Sequence, residues 1–316
     1  MSVLSASIII TNWNGKELLQ EILPTIIHAV DSDKDHKYEI MVVDDCSSDG
    51  SINFLKKKFP QVRVEKTPQN MGFQKACNYG VQKSKYEIVM LLNNDIKMDQ
   101  NTLAPLIEHF RDKRIFSVSG KVYDWDKKIF LYGNRGGYFK FGHFWLYEKE
   151  ENDLSQTLFA CGGAFMCDKK KYLELGGFNN IFHPLYYEEI DISYRALKRG
   201  WKVIYEPRSK VYHRVQSTIT KQHKKKMIGY ISGRNNYLFV WKNITDKDLI
   251  LSSLIFTPLF LIRDLFRFKF RFWICFFMAL KRLPGLLKER QRENGEIIFS
   301  DREILSKINQ YNTVSR

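Results

Sequence analysis

Cysteine is scarce and unpaired in this sequence. The five thiols Cys46, Cys77, Cys161, Cys167 and Cys275 form no C-x-x-C pair and are odd in number. That argues against a disulfide scaffold or a zinc ribbon and for reduced thiols in a cytosolic protein. A signal peptide is not expected either: Met1–Ser5 has no basic residue, and the apolar run Ala6–Ile10 is too short for a hydrophobic region. That run reads as a first buried strand. No uncharged apolar stretch reaches the ~18 residues that a bilayer span requires. RNP-like and helix-turn-helix signatures are missing too, so nucleic-acid binding has only net charge in its favour.

The 316 residues suffice for one large domain or a domain plus an extension. Hydrophobic content of 44% with 14% aromatics excludes a disordered chain. A formal net charge of +15 implies an anionic partner without deciding between nucleic acid, nucleotide diphosphate and acidic lipid.

The first part of the chain alternates strand and helix patterns. Strands are expected at Ala6–Ile10, Glu39–Val43, Val62–Val64 and Ile88–Leu92, with helices near Leu18–Ile27, near Ile52–Phe59 and after Phe73. Pro24 should kink or shorten the first helix. Such alternation implies βαβ units and a mainly parallel sheet. Ligands of open sheets sit beyond the carboxyl ends of the strands. Polar clusters follow three of those ends: Thr11-Asn12-Trp13-Asn14-Gly15, Asp44-Asp45 and Asn93-Asn94-Asp95. Between about Lys121 and Thr157 glycines punctuate aromatics, which reads as a twisted hairpin or a flap beside the site. Helices from Lys169 and over Glu189–Arg199, and strands near Val203–Tyr205 and Lys210–Tyr212, complete the domain at about residue 217.

Each cluster has a chemical and a bland reading. Asp44 leaves the end of a strand where a nucleobase or ribose can accept its carboxylate, whereas Asp49-Gly50-Ser51 is a helix-start device. Asp95 suits a Mg²⁺ or Mn²⁺ ion on a diphosphate, with Asn93 on a ribose; an Asn-Asn-Asp turn is the alternative. Gly162-Gly163 permits close backbone approach to a ligand. Glu188, Glu189 and Asp191 open a helix, where its dipole alone favours acids. Three acids beside Tyr186 and Tyr187 exceed that need, and crowding raises one pKa toward that of a general base. His213, after a strand, either completes a metal site or is structural. Arg234-Asn235-Asn236 reads equally as a phosphate or acceptor contact or as a helix cap.

Residues 218–316 differ in composition. A basic stretch, Lys221-Gln222-His223-Lys224-Lys225-Lys226, precedes the apolar Leu249–Ile262, which Pro258 interrupts; Arg263, Arg267, Lys269 and Arg271 then interleave with phenylalanines. Helices lying in the headgroup plane of a membrane, through 218–292, fit this pattern, and so does a helical subdomain packed on the core.

With these residues in view, the chain resembles the family 2 glycosyltransferases of GT-A fold, particularly bacterial rhamnosyltransferase-like members that build surface polysaccharides. The matching stretches run from Ile8-Ile9-Ile10-Thr11-Asn12 and Val42-Val43-Asp44-Asp45, through Asn70-Met71-Gly72-Phe73, Leu91-Leu92-Asn93-Asn94-Asp95 and Gly162-Gly163-Ala164, to Glu188-Glu189-Ile190-Asp191 and Val211-Tyr212-His213. They occur in family order over residues 7–213. The resemblance implies a GT-A Rossmann-like α/β domain over 1–217 with a basic helical extension over 218–316. It implies that Thr11, Asn12 and Asp44 bind the nucleoside, that Asn70, Gly72 and Asn78 shape the donor pocket, and that Asp95 and His213 hold Mn²⁺ or Mg²⁺. Glu189 falls on the base, with Asp191 orienting acceptor or donor. Asn93 stands where the family carries a first metal-side Asp, and Glu189 where it often carries Asp. The implied reaction is inverting transfer from a UDP- or dTDP-sugar to a glycan or lipid-linked acceptor, at the inner face of the cytoplasmic membrane. A nucleotidyltransferase is the competing reading, and the glycine-poor loop after the first strand counts against it.

Overall fold

The structure, a computed structural model, describes residues 3–149, 152–161, 163–214, 225–293 and 297–309. The first apolar run becomes β1 (Ser5–Asn12), whose consecutive buried residues Ala6–Ile10 put it inside the sheet. In chain order follow α1 (Lys16–Ser32), β2 (Lys37–Asp44), α2 (Ser51–Lys58), β3 (Arg63–Lys66), α3 (Phe73–Lys83) and β4 (Ile88–Asn93). These four strands lie side by side as β3-β2-β1-β4, all parallel. Pro24 does not break α1. It sits on the exposed face, where water can satisfy the carbonyl that its missing N–H abandons.

Beyond β4 come β5 (Ile96–Met98), α4 (Leu103–Ile107), β6 (Ile115–Asp124), β7 (Phe130–Tyr132), β8 (Arg135–Lys140), β9 (His143–Glu148), β10 (Ser155–Gln156), β11 (Ala164–Asp168), α5 (Lys169–Glu174), α6 (Glu188–Lys198) and β12 (Lys202–His213). The antiparallel β11 lies between β4 and β6, and β12 runs parallel to β6, so the sheet is mixed at this end. The two strands expected near Val203 and Lys210 are one strand with an irregularity between Tyr205 and Lys210.

The period-two alternation of strand side chains builds two cores. Ile8, Ile10, Val42 and Met90 meet Leu19, Ile22 and Leu23 of α1, whereas Ile9, Met41, Val43 and Leu91 meet Ala76, Cys77 and Val81 of α3. The second core continues into the C-terminal helices α7 (Lys225–Asn243), α8 (Lys247–Phe266), α9 (Arg271–Leu280), α10 (Leu283–Glu293) and α11 (Asp301–Asn309). Most of α7 from Arg234 to Ile244 is buried, as expected of a helix enclosed on several sides. Most of the expected basic stretch, residues 221–224, lies outside the described residues.

The segment read as a hairpin or flap is the β8–β9 hairpin. Phe141 and Gly142 at its tip both have positive φ (54° and 76°), as a two-residue type I′ turn requires. It is no loose flap. The Ser253 hydroxyl of α8 donates to the Gly142 carbonyl (2.8 Å), the Tyr147 hydroxyl donates to Asn309 of α11 (2.7 Å), and Phe144 is buried against Phe239 of α7.

Candidate active site

Strand register gathers the polar clusters on one rim. Thr11 lies beside Val43 and Asn93, and Asn12 beside Asp44. The Asn12 Nδ2 donates to Asp44 Oδ2 (3.0 Å), and its Oδ1 accepts from Asn94 Nδ2 (2.8 Å). The other Asp44 oxygen accepts from the Ser47 amide (2.9 Å). Asp44 is fully buried. It therefore orders Asn12 and the Ser47 loop.

The neighbouring Asp45 does something the sequence reading assigned to nothing. Its carboxylate accepts from the Met71 and Gly72 amides (2.8 Å each) and from the Thr67 hydroxyl (2.8 Å), so it closes the loop before α3 against β2. Asn70 donates to the Asp45 carbonyl (3.2 Å). Gly72 has φ +79°, and a Cβ there would come within 3.1 Å of the His183 ring, so the loop passes close beneath that side chain. Asn78 looks inward. It donates to the Phe178 carbonyl (2.9 Å) and accepts from the Phe178 amide (2.9 Å) and the Tyr172 hydroxyl (2.7 Å), tying α3 to the segment after α5.

Asp95, in the turn between β4 and β5, meets His213 at the end of β12, because β12 pairs antiparallel with β5 and sets His213 opposite Ile96. The His213 Nε2 lies 3.4 Å from Asp95 Oδ1, while its Nδ1 lies 2.9 Å from the Tyr132 hydroxyl. Two ligand atoms on one octahedral Mg²⁺ or Mn²⁺ sit about 3 Å apart, so this carboxylate–imidazole pair fits such an ion. A Tyr132 hydroxyl accepting from Nδ1–H would leave Nε2 free to ligate. No group of three or more His, Cys, Asp or Glu able to hold a metal occurs among the described residues. The remaining ligands would come from a bound diphosphate or water. Asn93 packs against Gly163 (φ +87°), where a Cβ would fall 2.7 Å from its amide nitrogen; the Gly163 carbonyl accepts from the Asn93 amide (2.8 Å). Gly162 lies outside the described residues.

The three acids of α6 separate into three environments. Asp191 requires a correction, because it faces neither donor nor acceptor. It is fully buried, with one oxygen on Lys242 Nζ and Asn243 Nδ2 (2.9 Å each) and the other on Arg195 (2.9 Å to Nε). Burial opposes its charge, but Arg195, Lys242 and Asn243 outweigh burial and hold the carboxyl below its ordinary value. Asp191 bolts α6 to α7. Glu188 is buried, with no hydrogen-bond partner for Oε2 among the described residues. Burial, then the charge of Glu189, push its carboxyl well above the ordinary value. Glu189 is half-buried, and burial pushes its carboxyl up to about 7, with a backbone hydrogen bond opposing. Burial raises the Tyr132 phenol, and the charges of Cys161, Asp95 and Glu189 add to that.

The loop that presents Glu189 is held from the C-terminal helices. Tyr186 and Tyr187 both have positive φ (62° and 84°), an uncommon conformation for tyrosine. Asn235 Nδ2 lies within hydrogen-bonding distance of three carbonyls of the approach, Phe182 (3.0 Å), Leu185 (2.9 Å) and Tyr186 (2.8 Å). Arg234 donates to the His183 carbonyl (2.8 Å), and Asn236 donates to the Tyr187 hydroxyl (2.8 Å) and the Phe144 carbonyl (2.6 Å). Arg234-Asn235-Asn236 is thus a clamp on the acid loop, and these bonds are spent on protein groups. The available signal was three consecutive polar residues just before the apolar run Tyr237–Trp241 of the same helix.

A family model described as glycosyl transferase family 2 matches residues 7–176. Poly-beta-1,6-N-acetyl-D-glucosamine synthase of Staphylococcus epidermidis is 24% identical over 255 residues, covering 79% of this chain and 60% of the relative. The enzyme of the same name from Staphylococcus aureus is 24% identical over 213 residues, covering 66% and 49%. The chain thus spans about half to three fifths of the length of these relatives. Among solved structures, S. aureus TarS 1-349 with UDP-GlcNAc aligns at TM-score 0.57 and 15% identity, covering 90% of this chain and 79% of that one. GalNAc-T7 with UDP, GalNAc and Mn²⁺ aligns at 0.56 and 18%, covering 72% and 48%. The mannosyltransferase PcManGT of Pyrobaculum calidifontis with GDP-Man and Mn²⁺ aligns at 0.55 and 14%, covering 93% and 74%. At these identities the structures speak to fold, and they place the sheet and its flanking helices in the GT-A architecture. The family match over more than half of the sequence decides identity: the chain belongs to glycosyl transferase family 2 and is a glycosyltransferase.

Proposed function

We propose that this glycosyltransferase moves a sugar, with inversion, from a UDP- or dTDP-sugar to a hydroxyl of a glycan or lipid-linked acceptor at the inner face of the cytoplasmic membrane. The observation carrying this reading is that the β5–β12 pairing brings Asp95 and His213 together (3.4 Å), with the Tyr132 hydroxyl on the far imidazole nitrogen, a pair suited to a cation. A second acid, Glu189, opens α6 half-buried, and burial pushes its carboxyl up to about 7. Bound Mn²⁺ or Mg²⁺ would neutralise the donor diphosphate. Thr11 and Asn12 contact the nucleoside, and the Asn70–Gly72 loop fixed by Asp45 borders the donor. Glu189, deprotonated, takes the acceptor hydroxyl's proton as its oxygen bonds to the anomeric carbon. The bond from that carbon to the phosphate oxygen breaks on the opposite face, and the nucleoside diphosphate leaves with the electron pair. Glu188, kept neutral by burial, adds no second charge beside the attacking oxygen.

Solved relatives of the fold hold UDP, GDP-Man or UDP-GlcNAc, two of them with Mn²⁺, and the Staphylococcus relatives are polysaccharide synthases. These support a nucleotide-sugar donor and a divalent ion. The test is a thermal-shift screen of UDP, dTDP and GDP with and without Mn²⁺, on wild type and Asp95→Ala. One nucleotide should stabilise the wild type only with Mn²⁺, and Asp95→Ala should abolish that increment. Equal stabilisation in all four arms overturns the cation role.

A further inference from the structure

The outward face of the C-terminal helices is unlike the rest of the surface. In α8 one stripe, Leu249, Ser253, Thr257, Leu261 and Asp264, is buried along the whole helix. Ser253 bonds the β8–β9 turn, and the Trp273 indole of α9 donates to the Leu261 carbonyl (2.9 Å). The opposite stripe is more apolar than the buried one and is bare: Leu251, Leu254, Ile255, Leu259 and Ile262 are each about half exposed or more. The stripe runs into the turn between α8 and α9, where Phe266 is 79% and Phe268 84% exposed. A continuous apolar stripe of this length is expected to be covered.

Charge identifies the cover. From Leu249 to Lys288 the only acid is Asp264, which is buried and accepts from the Phe272 amide (3.0 Å). Seven cations occupy the same stretch, Arg263, Arg267, Lys269, Arg271, Lys281, Arg282 and Lys288. A second copy of this chain would bring the same positive surface against itself, which repulsion disfavours. An anionic bilayer surface offers hydrocarbon to the phenylalanines and phosphates to the cations.

We infer that α8, the Phe266–Phe270 turn and the start of α9 form a monotopic membrane anchor, with α8 lying in the headgroup plane of an anionic bilayer and the turn inserted deepest. By length and composition α8 is able to cross a bilayer, contrary to the expectation from the uninterrupted apolar run alone. Its buried stripe is bonded to the hairpin through Ser253 and to α9 through the Leu261 carbonyl and Asp264, and crossing would strip those contacts away. The inference specifies the surface behind the membrane placement proposed above, and it stands or falls without donor or acceptor.

The test is flotation of the full chain with vesicles of phosphatidylglycerol and phosphatidylethanolamine, against phosphatidylcholine alone. Wild type should float with the anionic vesicles and be released by alkaline carbonate. Phe266→Ser with Phe268→Asn should weaken flotation by about tenfold or more, as loss of two inserted rings implies. Asn suits the positive φ of Phe268 (50°). Arg267→Gln and Lys269→Gln should each cost about fivefold on anionic vesicles and nothing on phosphatidylcholine. An unchanged melting temperature keeps folding out of the comparison. No flotation, equal flotation on both vesicles, or an unaffected double variant overturns the inference. So does resistance to carbonate, which would mark a spanning helix, or a wild-type dimer that the double variant dissociates, which would mark a second copy as the cover.

Discussion

Replacing Asn235 by Ala asks whether the C-terminal helices only stabilise the enzyme or also aim its base. Asn235 is fully buried, and two N–H bonds serve three carbonyls that lead up to Glu188. Orphaning buried acceptors costs about 1–3 kcal/mol each, and with two donors lost the clamp is worth roughly 2–6 kcal/mol. Against it stands the backbone it restrains. Tyr186 and Tyr187 in left-handed conformations cost about 1–2 kcal/mol apiece. These magnitudes overlap, so without the clamp the loop gains by relaxing toward negative φ, and Glu189, two residues on, moves with it.

Misplacing a catalytic group by about 1 Å costs about 10²-fold in rate. Asn235→Ala should therefore lower kcat by about that factor, with donor KM little changed, because Asn12 and the Asp45-held loop lie on other elements. Asn235→Asp keeps the volume but turns an acceptor toward three acceptors, and should be as impaired. Leu238→Ala, a fully buried neighbour on α7, controls for stability, with about 2–5 kcal/mol lost and kcat retained. The assay is steady-state transfer over a pH series beside thermal denaturation. If Asn235→Ala melts earlier yet keeps kcat within about twofold and the same pH limb, the clamp is structural only and the reasoning fails.

Activity should rise with pH along a limb near 7, since Glu189 must be deprotonated to accept a proton and burial has raised its carboxyl to about 7. Glu189→Gln should lose about 10²–10⁴-fold and the limb with it; a limb surviving the substitution would point to another base. The same raised carboxyl means that Glu189 favours the fold below its ordinary pKa and progressively less as pH rises toward 7, so Glu189→Gln should flatten part of that slope in denaturation experiments. Asp191→Asn should behave oppositely. It leaves the buried Lys242 and Arg195 without their carboxylate, for a loss of about 3–5 kcal/mol at neutral pH. Because the Asp191 carboxyl is held below its ordinary value, its contribution is present above about pH 4 and lost as pH falls further, so wild type and variant should converge only in acid.

The gathering of polar residues on one rim was legible in the sequence because strand ends are local features. A run such as Met41-Val42-Val43 announces a buried strand, and parallel pairing then sets Asn12 beside Asp44 and Thr11 beside Asn93. Partners beyond the strand ends were less legible. Nothing near Asp45 indicates that the Met71 and Gly72 amides will find it, nor that Asp44 will be fully buried on Asn12. Asp191 misled because an acid two residues after a base reads as part of the same site, whereas on a helix that interval turns it about 200° to the opposite face, toward Lys242. The C-terminal helices admitted two readings, core packing and membrane contact. The stripes of α8 show why composition could not separate them: the buried stripe holds Ser253, Thr257 and Asp264 while the bare one is all aliphatic, the reverse of the usual pattern, so only packing tells the faces apart.

That division bears on how the two substrates meet. Donor-side residues up to Asp95 come from the strand rim within the family match, which ends at residue 176, whereas Glu189 and its clamp lie beyond it. The base is held by α7, and α7 touches the outward layer at Gly233, where a Cβ would come within 2.6 Å of Cys275 Sγ on α9. So tight a crossing leaves little room for α9 to shift without moving α7. Asn235 lies two residues along from that crossing and Lys242 two turns further, each bonded to an end of the acid-bearing segment. The proposed base is thereby tied, through α7, to the helix layer that carries the face proposed to rest on lipid.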